Sequence, residues 1–214
     1  MLTISYGTIN DSRQRTLNKL TKLRSEGSYT VVDVGGTHGG SWSSSVTDMV
    51  IDINAHGPGA MNLDICNYES WKELESMVAV TGKFNYSICT HTLEDLYDPI
   101  ITLKKLPKIA ERGIITMPSI LTELSNIESS RWLGYIHHRW IFHEENGKML
   151  IIPKLSLIES VAKNRFKHKE HLSEIIFEWE NEINYDIFMN NYLGPNANIV
   201  LREFCKLIDK VHKL

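Results

Sequence analysis

Tyr29-Thr-Val-Val-Asp-Val-Gly-Gly-Thr-His-Gly-Gly40, followed by Met49-Val-Ile-Asp-Ile53, is the stretch whose reading decides the fold. The first part is a β-branched run that ends in glycines. Such a continuous apolar run marks a strand buried on both faces, as in a parallel sheet covered on each side. Met49 to Ile53 is a second run of the same kind, and Met61-Asn-Leu-Asp-Ile65 is a third, shorter one. Between the first two lies Ser41-Trp-Ser-Ser-Ser-Val46, a poor helix because serine hydroxyls compete for backbone hydrogen bonds. The first crossover is therefore expected to be a single turn or to lack a helix.

Working outward, Leu17, Leu20 and Leu23 give residues 10–26 an amphipathic helical pattern, with Asp11 or Ser12 as N-cap and Gly27 as the stop. Asn67 to Met77 reads as a helix capped by Asn67. Phe84 to Cys89 reads as a strand. A helix lies between Leu93 and Ala110, starting near Asp98 with Pro99 in its first position. Gly113 to Met117 is another strand, stopped by Pro118. Helix and strand alternate through this half, which calls for an α/β architecture.

The second half changes character. Trp140 to His143 and Met149 to Ile152 flank Glu145-Asn146-Gly147, a strong hairpin signal. Residues 154–174 are charged and amphipathic, helical in part. Ile175 to Trp179 and Tyr185 to Met189 read as strands, and Asn196 or Asn198 caps a last helix running to about Val211. With no repeat and no low-complexity linker, residues 1–214 are expected to form one domain: a mostly parallel central sheet, helices on both faces, and an antiparallel C-terminal hairpin.

Hydrophobic residues make up 42% and charged residues 23%, enough apolar material for a sizeable core. The net charge of −3 implies no basic face, so nucleic acid is not the expected partner. Cys66, Cys89 and Cys205 are odd in number and far apart, which argues against a disulfide framework or a cysteine zinc site. No signal-peptide pattern and no membrane span are visible, so a cytoplasmic location is expected.

An open parallel sheet binds ligands at the carboxyl ends of its strands. The loop Gly35-Gly36-Thr37-His38-Gly39-Gly40 would let backbone approach a ligand closely there. Asp52 ends the second strand, 19 positions after Asp33, where a carboxylate accepts hydrogen bonds from ribose hydroxyls. Asp64, after the next strand, would sit beside an adenine, with Ile65 packed on its face.

These residues resemble the class I S-adenosylmethionine-dependent methyltransferases. Val31-Val-Asp-Val-Gly-Gly36 looks like the family's first motif, Val50-Ile-Asp-Ile53 like its ribose-binding strand, and Phe84 through Leu96 like its fourth strand and the helix after it. The resemblance covers roughly residues 28–119, the cofactor half, and leaves 120–214 as an acceptor-binding half. It implies a Rossmann-like methyltransferase domain with S-adenosyl-L-methionine as cofactor and S-adenosyl-L-homocysteine as product. Asp33, Gly35, Gly36, Thr37, His38, Gly39, Trp42, Asp52, Ile53, Asp64, Ile65 and Thr90 are the implied cofactor contacts, with Trp42 covering the cofactor or packing on its sulfonium. The sequence departs from the pattern at Asn85, where the family often has an acid, and in its short glycine loop.

Transfer to a hydroxyl requires alignment and removal of a proton. Histidine suits the base role. His91 stands at the end of the fourth strand of this pattern, and His137, His138 and His143 crowd the acceptor half. His91 and the His137/His138 pair are therefore the candidate bases, oriented by Asp95 or Glu94; Asp95 would face His91 across one helical turn. If residues 137 and 138 are extended, alternation points them to opposite faces, and His143 is expected at the surface. A divalent metal on the histidines is not favoured, since spacing alone is weak support. The expected acceptor is a small molecule or glycan, a sugar hydroxyl first, with Arg131, Trp132, Tyr135 and Trp140 suited to a polyol. The alternatives are an N-methyltransferase of a protein or small amine, and a methyltransferase-like binding module without catalysis.

Overall fold

A computed structural model describes residues 2–37, 39, 41–163, 165–188 and 196–213. Its elements are β1 (Leu2–Gly7), α1 (Ile9–Glu26), β2 (Val31–Val34), β3 (Met49–Asp52), β4 (Ala60–Asn62), α2 (Trp71–Thr81), β5 (Tyr86–Thr90), α3 (Pro99–Ile109), β6 (Arg112–Pro118) and α4 (Ile120–Glu123). They continue as β7 (Trp140–Glu145), β8 (Lys148–Pro153), α5 (Leu157–Ala162), β9 (Glu174–Glu180), β10 (Tyr185–Ile187) and α6 (Ala197–Val211).

The central sheet has seven strands in the order β1-β9-β6-β5-β2-β3-β4. β6, β5, β2, β3 and β4 run parallel, and β9 lies antiparallel between β1 and β6. From β2 the chain crosses to β3 on one side and later returns to β5 on the other. The strand order thus reverses between β2 and β5, and such a point opens a crevice at the carboxyl ends of the strands. The α/β reading with a mostly parallel sheet is what the structure has. Among the described residues between β2 and β3 there is no helix: residues 42–46 are turns, tied by Ser44 N–H to Ser41 O and Val46 N–H to Ser43 O.

Alternation along the strands sorts the core. Val32, Val34, Cys89, Ile115 and Phe177 join Trp71 and Leu74 of α2 and Leu103 and Leu106 of α3. Val31, Ile88, Ile114 and Ile176 join Leu20 of α1. The β7–β8 hairpin belongs to a separate three-stranded sheet, β10-β8-β7. One side of it, Phe142, Met149 and Ile151, packs into the first of these cores. The other side, Ile141, Leu150 and Ile152, packs with Phe204, Leu207 and Ile208 of α6. The hairpin thus fastens the second half of the chain to the central sheet. At its tip Asn146 (φ 55°) and Gly147 (φ 73°) are both left-handed, as the Asn-Gly signal requires.

Several local expectations need correction. The N-cap of α1 is Thr8, whose side chain accepts from Asp11 N–H, so the helix starts before Asp11 and Ser12. α2 begins at Trp71 instead of Asn67, because the Asn67 side chain closes a turn on Glu69 N–H before the helix starts. β4 ends at Asn62, so Asp64 lies in the loop after it, where its carboxylate accepts from Cys66 N–H. β1 is not among the expected strands, although Leu2, Ile4 and Tyr6 alternate with Thr3 and Ser5. The start of α3 agrees: Asp98 accepts from Ile100 N–H and Pro99 is the first helical residue. Asn196 is the N-cap of α6. Met189, the end of the expected strand from Tyr185, lies outside the described residues, as does His38. Among the described residues no helix is long and apolar enough to cross a membrane.

Candidate functional site

Two cavities adjoin at the carboxyl ends of the parallel strands. One, of about 390 Å³, is lined by Arg13, Asp33, Gly36, Trp42 and Thr90. The other, of about 350 Å³, is lined by Asp52, Ile53, Asp64, Ile65 and Asp95. Gly35 and His91 belong to both. The cofactor-facing residues read from the sequence thus arrive together, apart from Gly39 and from His38, which is not described. Thr37 lines the first cavity, while Gly39 (φ 75°) lines neither.

The glycines have specific reasons. Gly35 is left-handed (φ 79°), and a Cβ there would lie 2.2 Å from Thr92 Cγ2. A Cβ on Gly36 would lie 2.4 Å from the Asp33 carboxyl carbon. The backbone therefore passes directly over Asp33, which is 2% exposed. Ser43 Oγ donates to Asp33 Oδ2 at 2.5 Å. Burial lifts the Asp33 carboxyl to about 6 against this hydrogen bond, helped by the neighbouring Asp52 charge. Asp52 Oδ1 accepts from Asn54 N–H at 2.8 Å, and among the described residues no protein donor holds Oδ2.

Arg13 is an addition that no local pattern announces. It reaches from α1 into the first cavity, and its guanidinium carbon stands 5.7 Å from the centroid of the Trp42 ring. Its Nε is buried without a partner among the described residues. Trp42 lines the cavity as expected, but its ring already carries a cation. Asn85 sits at the other end of the strands, accepting from Thr30 N–H and Oγ1, remote from this edge.

His91 takes a left-handed backbone (φ 50°), uncommon for a non-glycine residue and held by its N–H on Thr116 O at 2.8 Å. Its Nε2 bonds Glu174 Oε1 at 2.8 Å, and its Nδ1 stands 3.5 Å from Glu94 Oε1. Both carboxylates are buried. Burial alone would lower the imidazole pKa. The Glu174 hydrogen bond and the Glu94 charge outweigh it and raise the pKa to about 9. The surroundings of His91 thus favour its protonated form, against the base role expected of it. Its orienting carboxylate is not Asp95, because residues 92–95 form a turn instead of a helix.

Asp95 faces the other histidines. Residues 135–138 turn, so His137 and His138 do not point to opposite sides: each Nε2 lies 3.7 Å from Asp95 Oδ1. The backbone explains the meeting, since Arg139 N–H and Trp140 N–H both donate to Glu94 O. His138 is buried and its Nδ1 pairs with Glu123 Oε1 at 2.6 Å. Glu123 Oε2 in turn accepts from Lys154 Nζ at 2.7 Å. With Nδ1–H directed at a carboxylate, the neutral tautomer of His138 carries its lone pair on Nε2, toward Asp95. That atom can take a proton or ligate a cation. His143 is half-buried against Tyr6 instead of exposed, and belongs to neither cavity.

A third cavity of about 340 Å³, lined by Arg131, Trp132, Ile136, His138 and Lys154, lies on the far side of His138. Glu174, Glu123 and Lys154 are further site residues that sequence reasoning misses; their partners are remote in the chain and no local pattern marks them. No protein-family model and no curated protein matches this chain.

Proposed function

We propose that this chain is an S-adenosyl-L-methionine-dependent O-methyltransferase acting on a hydroxyl, with a sugar or glycan as acceptor and the cytoplasm as its place. The observation that carries the reading is the arrival of Asp33 from β2, Asp52 from β3 and Asp64 from the loop after β4 around adjoining cavities that share Gly35 and His91. The free oxygen of Asp52 suits ribose hydroxyls, and Ile53 and Ile65 suit the faces of an adenine. Arg13, with its buried unpartnered Nε, supplies positive charge for the carboxylate of the amino-acid end. The space over Gly36, which a Cβ would close onto Asp33, supports a close backbone approach.

When bound, the cofactor supplies an electrophilic methyl group on a sulfonium and departs as S-adenosyl-L-homocysteine. The protein has to align the acceptor oxygen, keep water out and receive the hydroxyl proton. His91 holds its proton between Glu94 and Glu174, so it positions and does not accept. The basic atoms are the Nε2 atoms of His137 and His138 beside Asp95, which lines the second cavity, while His138 lines the third. Trp132, Arg131 and Lys154 give that cavity an aromatic wall and polar groups, which suits a polyol. The unpaired state of Cys66, Cys89 and Cys205 supports a reducing compartment.

Incubation with methyl-labelled cofactor and a panel of glycans tests the reading. Label on sugar oxygen is the expected result. Label found only on nitrogen or on nucleic acid would overturn the sugar assignment.

A further inference from the structure

Three donor atoms from two segments converge between the cavity that Asp95 lines and the third cavity, which His138 lines: Asp95 Oδ1, His137 Nε2 and His138 Nε2, all within 4.8 Å of one another. They converge without bonding. At 3.7 Å each imidazole nitrogen is beyond hydrogen-bond length from the carboxylate oxygen. Donors held around one zinc-sized ion stand about 3.4 Å apart, from metal–ligand lengths of about 2.0–2.1 Å and a tetrahedral angle. The gaps therefore exceed those of a filled site by only a few tenths of an ångström at the carboxylate. Both segments are fixed from behind by Arg139 N–H and Trp140 N–H on Glu94 O, and by the Trp140 indole on Leu96 O at 3.0 Å.

A second observation concerns the outer layer. A ligating histidine almost always gives its other ring N–H to a carboxylate or carbonyl, which fixes the tautomer and aims the lone pair. His138 does this with Glu123, a carboxylate that is 1% exposed and whose second oxygen is neutralised by Lys154. The rings also brace each other: His137 and His138 are edge-on with centroids 4.5 Å apart, and Tyr135 lies 4.7 Å from His138. The outer side is open, since Asp95 and His137 are exposed. Two imidazoles and one carboxylate with vacant positions is a donor set for a first-row transition metal, not for magnesium or calcium, which prefer oxygen.

We propose that Asp95, His137 and His138 bind one divalent transition-metal ion of the zinc class, leaving positions open toward the cofactor cavities and the third cavity. Its further role rests on the methyltransferase reading, while the binding itself does not: with the metal held, the two Nε2 atoms are ligands instead of bases, and the polarised acceptor hydroxyl sheds its proton to solvent on the exposed side of Asp95 and His137.

Untagged chain stripped with a chelator and titrated with Co²⁺ tests the site. The expected result is one equivalent bound with visible d–d bands, displaced by Zn²⁺ and indifferent to excess Mg²⁺. Asp95→Asn and His137→Ala change exposed side chains, and each is expected to weaken Co²⁺ binding at least about tenfold. Glu123→Gln, acting through His138, is expected to weaken it about 10- to 100-fold. No Co²⁺ uptake by the folded chain, or uptake unchanged in the Asp95→Asn/His137→Ala double variant, would overturn the proposal. Calorimetry with S-adenosyl-L-homocysteine on the same samples keeps the two readings apart. Cofactor binding without cobalt binding defeats the metal site alone, and cobalt binding without cofactor binding defeats the methyltransferase alone.

Discussion

At the scale of single residues, His91 and Asp33 are titratable groups at one strand edge whose folded pKa values both lie above the ordinary ones, in different pH windows. The folded chain holds the His91 proton up to about 9, whereas an unfolded chain releases it near the ordinary 6.5. The resulting stabilisation is complete below about 6.5 and is lost as pH rises through about 9, with a size of about 3 kcal/mol. Glu174→Gln, which removes the carboxylate on Nε2 and leaves Glu94 in place, is expected to flatten this dependence. Urea unfolding at several pH values between these limits measures it, and an identical slope in variant and parent would refute the pairing. Asp33 has the same sign in a lower pH window. Its folded pKa of about 6 lies above the ordinary 3.8, so folding favours its protonated form and stability declines as pH rises through this interval. Asp33→Asn is therefore expected to be no less stable than the parent at pH 7.5, by thermal melting, while losing affinity for S-adenosyl-L-homocysteine. The positions of Asp33, Asp52 and Asp64 were legible because strand ends and glycine turns are local signals. The charge state of His91 was not, because Glu174 lies 83 residues along the chain.

At the scale of elements, the site depends on a turn and a hairpin remote from it. The β7–β8 hairpin begins at Trp140, whose N–H and indole hold the turn after β5 and so hold Asp95 against His137 and His138. Gly147→Ala keeps the left-handed position (φ 73°) but adds a Cβ, at an expected cost of about 1 kcal/mol in thermal unfolding. A loss near zero would mean that the tip does not constrain the hairpin. Asp98→Ala, which removes the side-chain acceptor at the start of α3, is expected to cost about 1 kcal/mol as well. Both features were readable, Asn-Gly between apolar runs and Asp-Pro before a helix. The alternation of Leu2, Ile4 and Tyr6 was equally readable and marks β1. What no local pattern carries is that β9 enters the central sheet between β1 and β6 while β7 and β8 leave it for a second sheet. All three are short apolar strands; their placement is decided by which faces remain uncovered after the helices pack.

At the scale of the molecule, two halves cooperate: a parallel sheet whose order reverses between β2 and β5, and a smaller sheet backed by α6. Phe204 of α6 is fully buried against the outer side of the hairpin. Phe204→Ala is expected to cost about 3–5 kcal/mol, and to loosen the histidine pair with it, seen as weaker Co²⁺ binding than in the parent. The reversal point places Gly35, Asp52 and His91 on one rim, and that rim is the basis for reading a nucleoside cofactor into the cleft. The most direct measurement is isothermal titration calorimetry of the purified chain with S-adenosyl-L-homocysteine, in parallel with Asp52→Ala. The account predicts one site per chain and an affinity at least about tenfold weaker in the variant, the loss of about 1.4 kcal/mol or more for a charge-assisted hydrogen bond. No binding by the folded parent chain, or equal binding by Asp52→Ala, would contradict it.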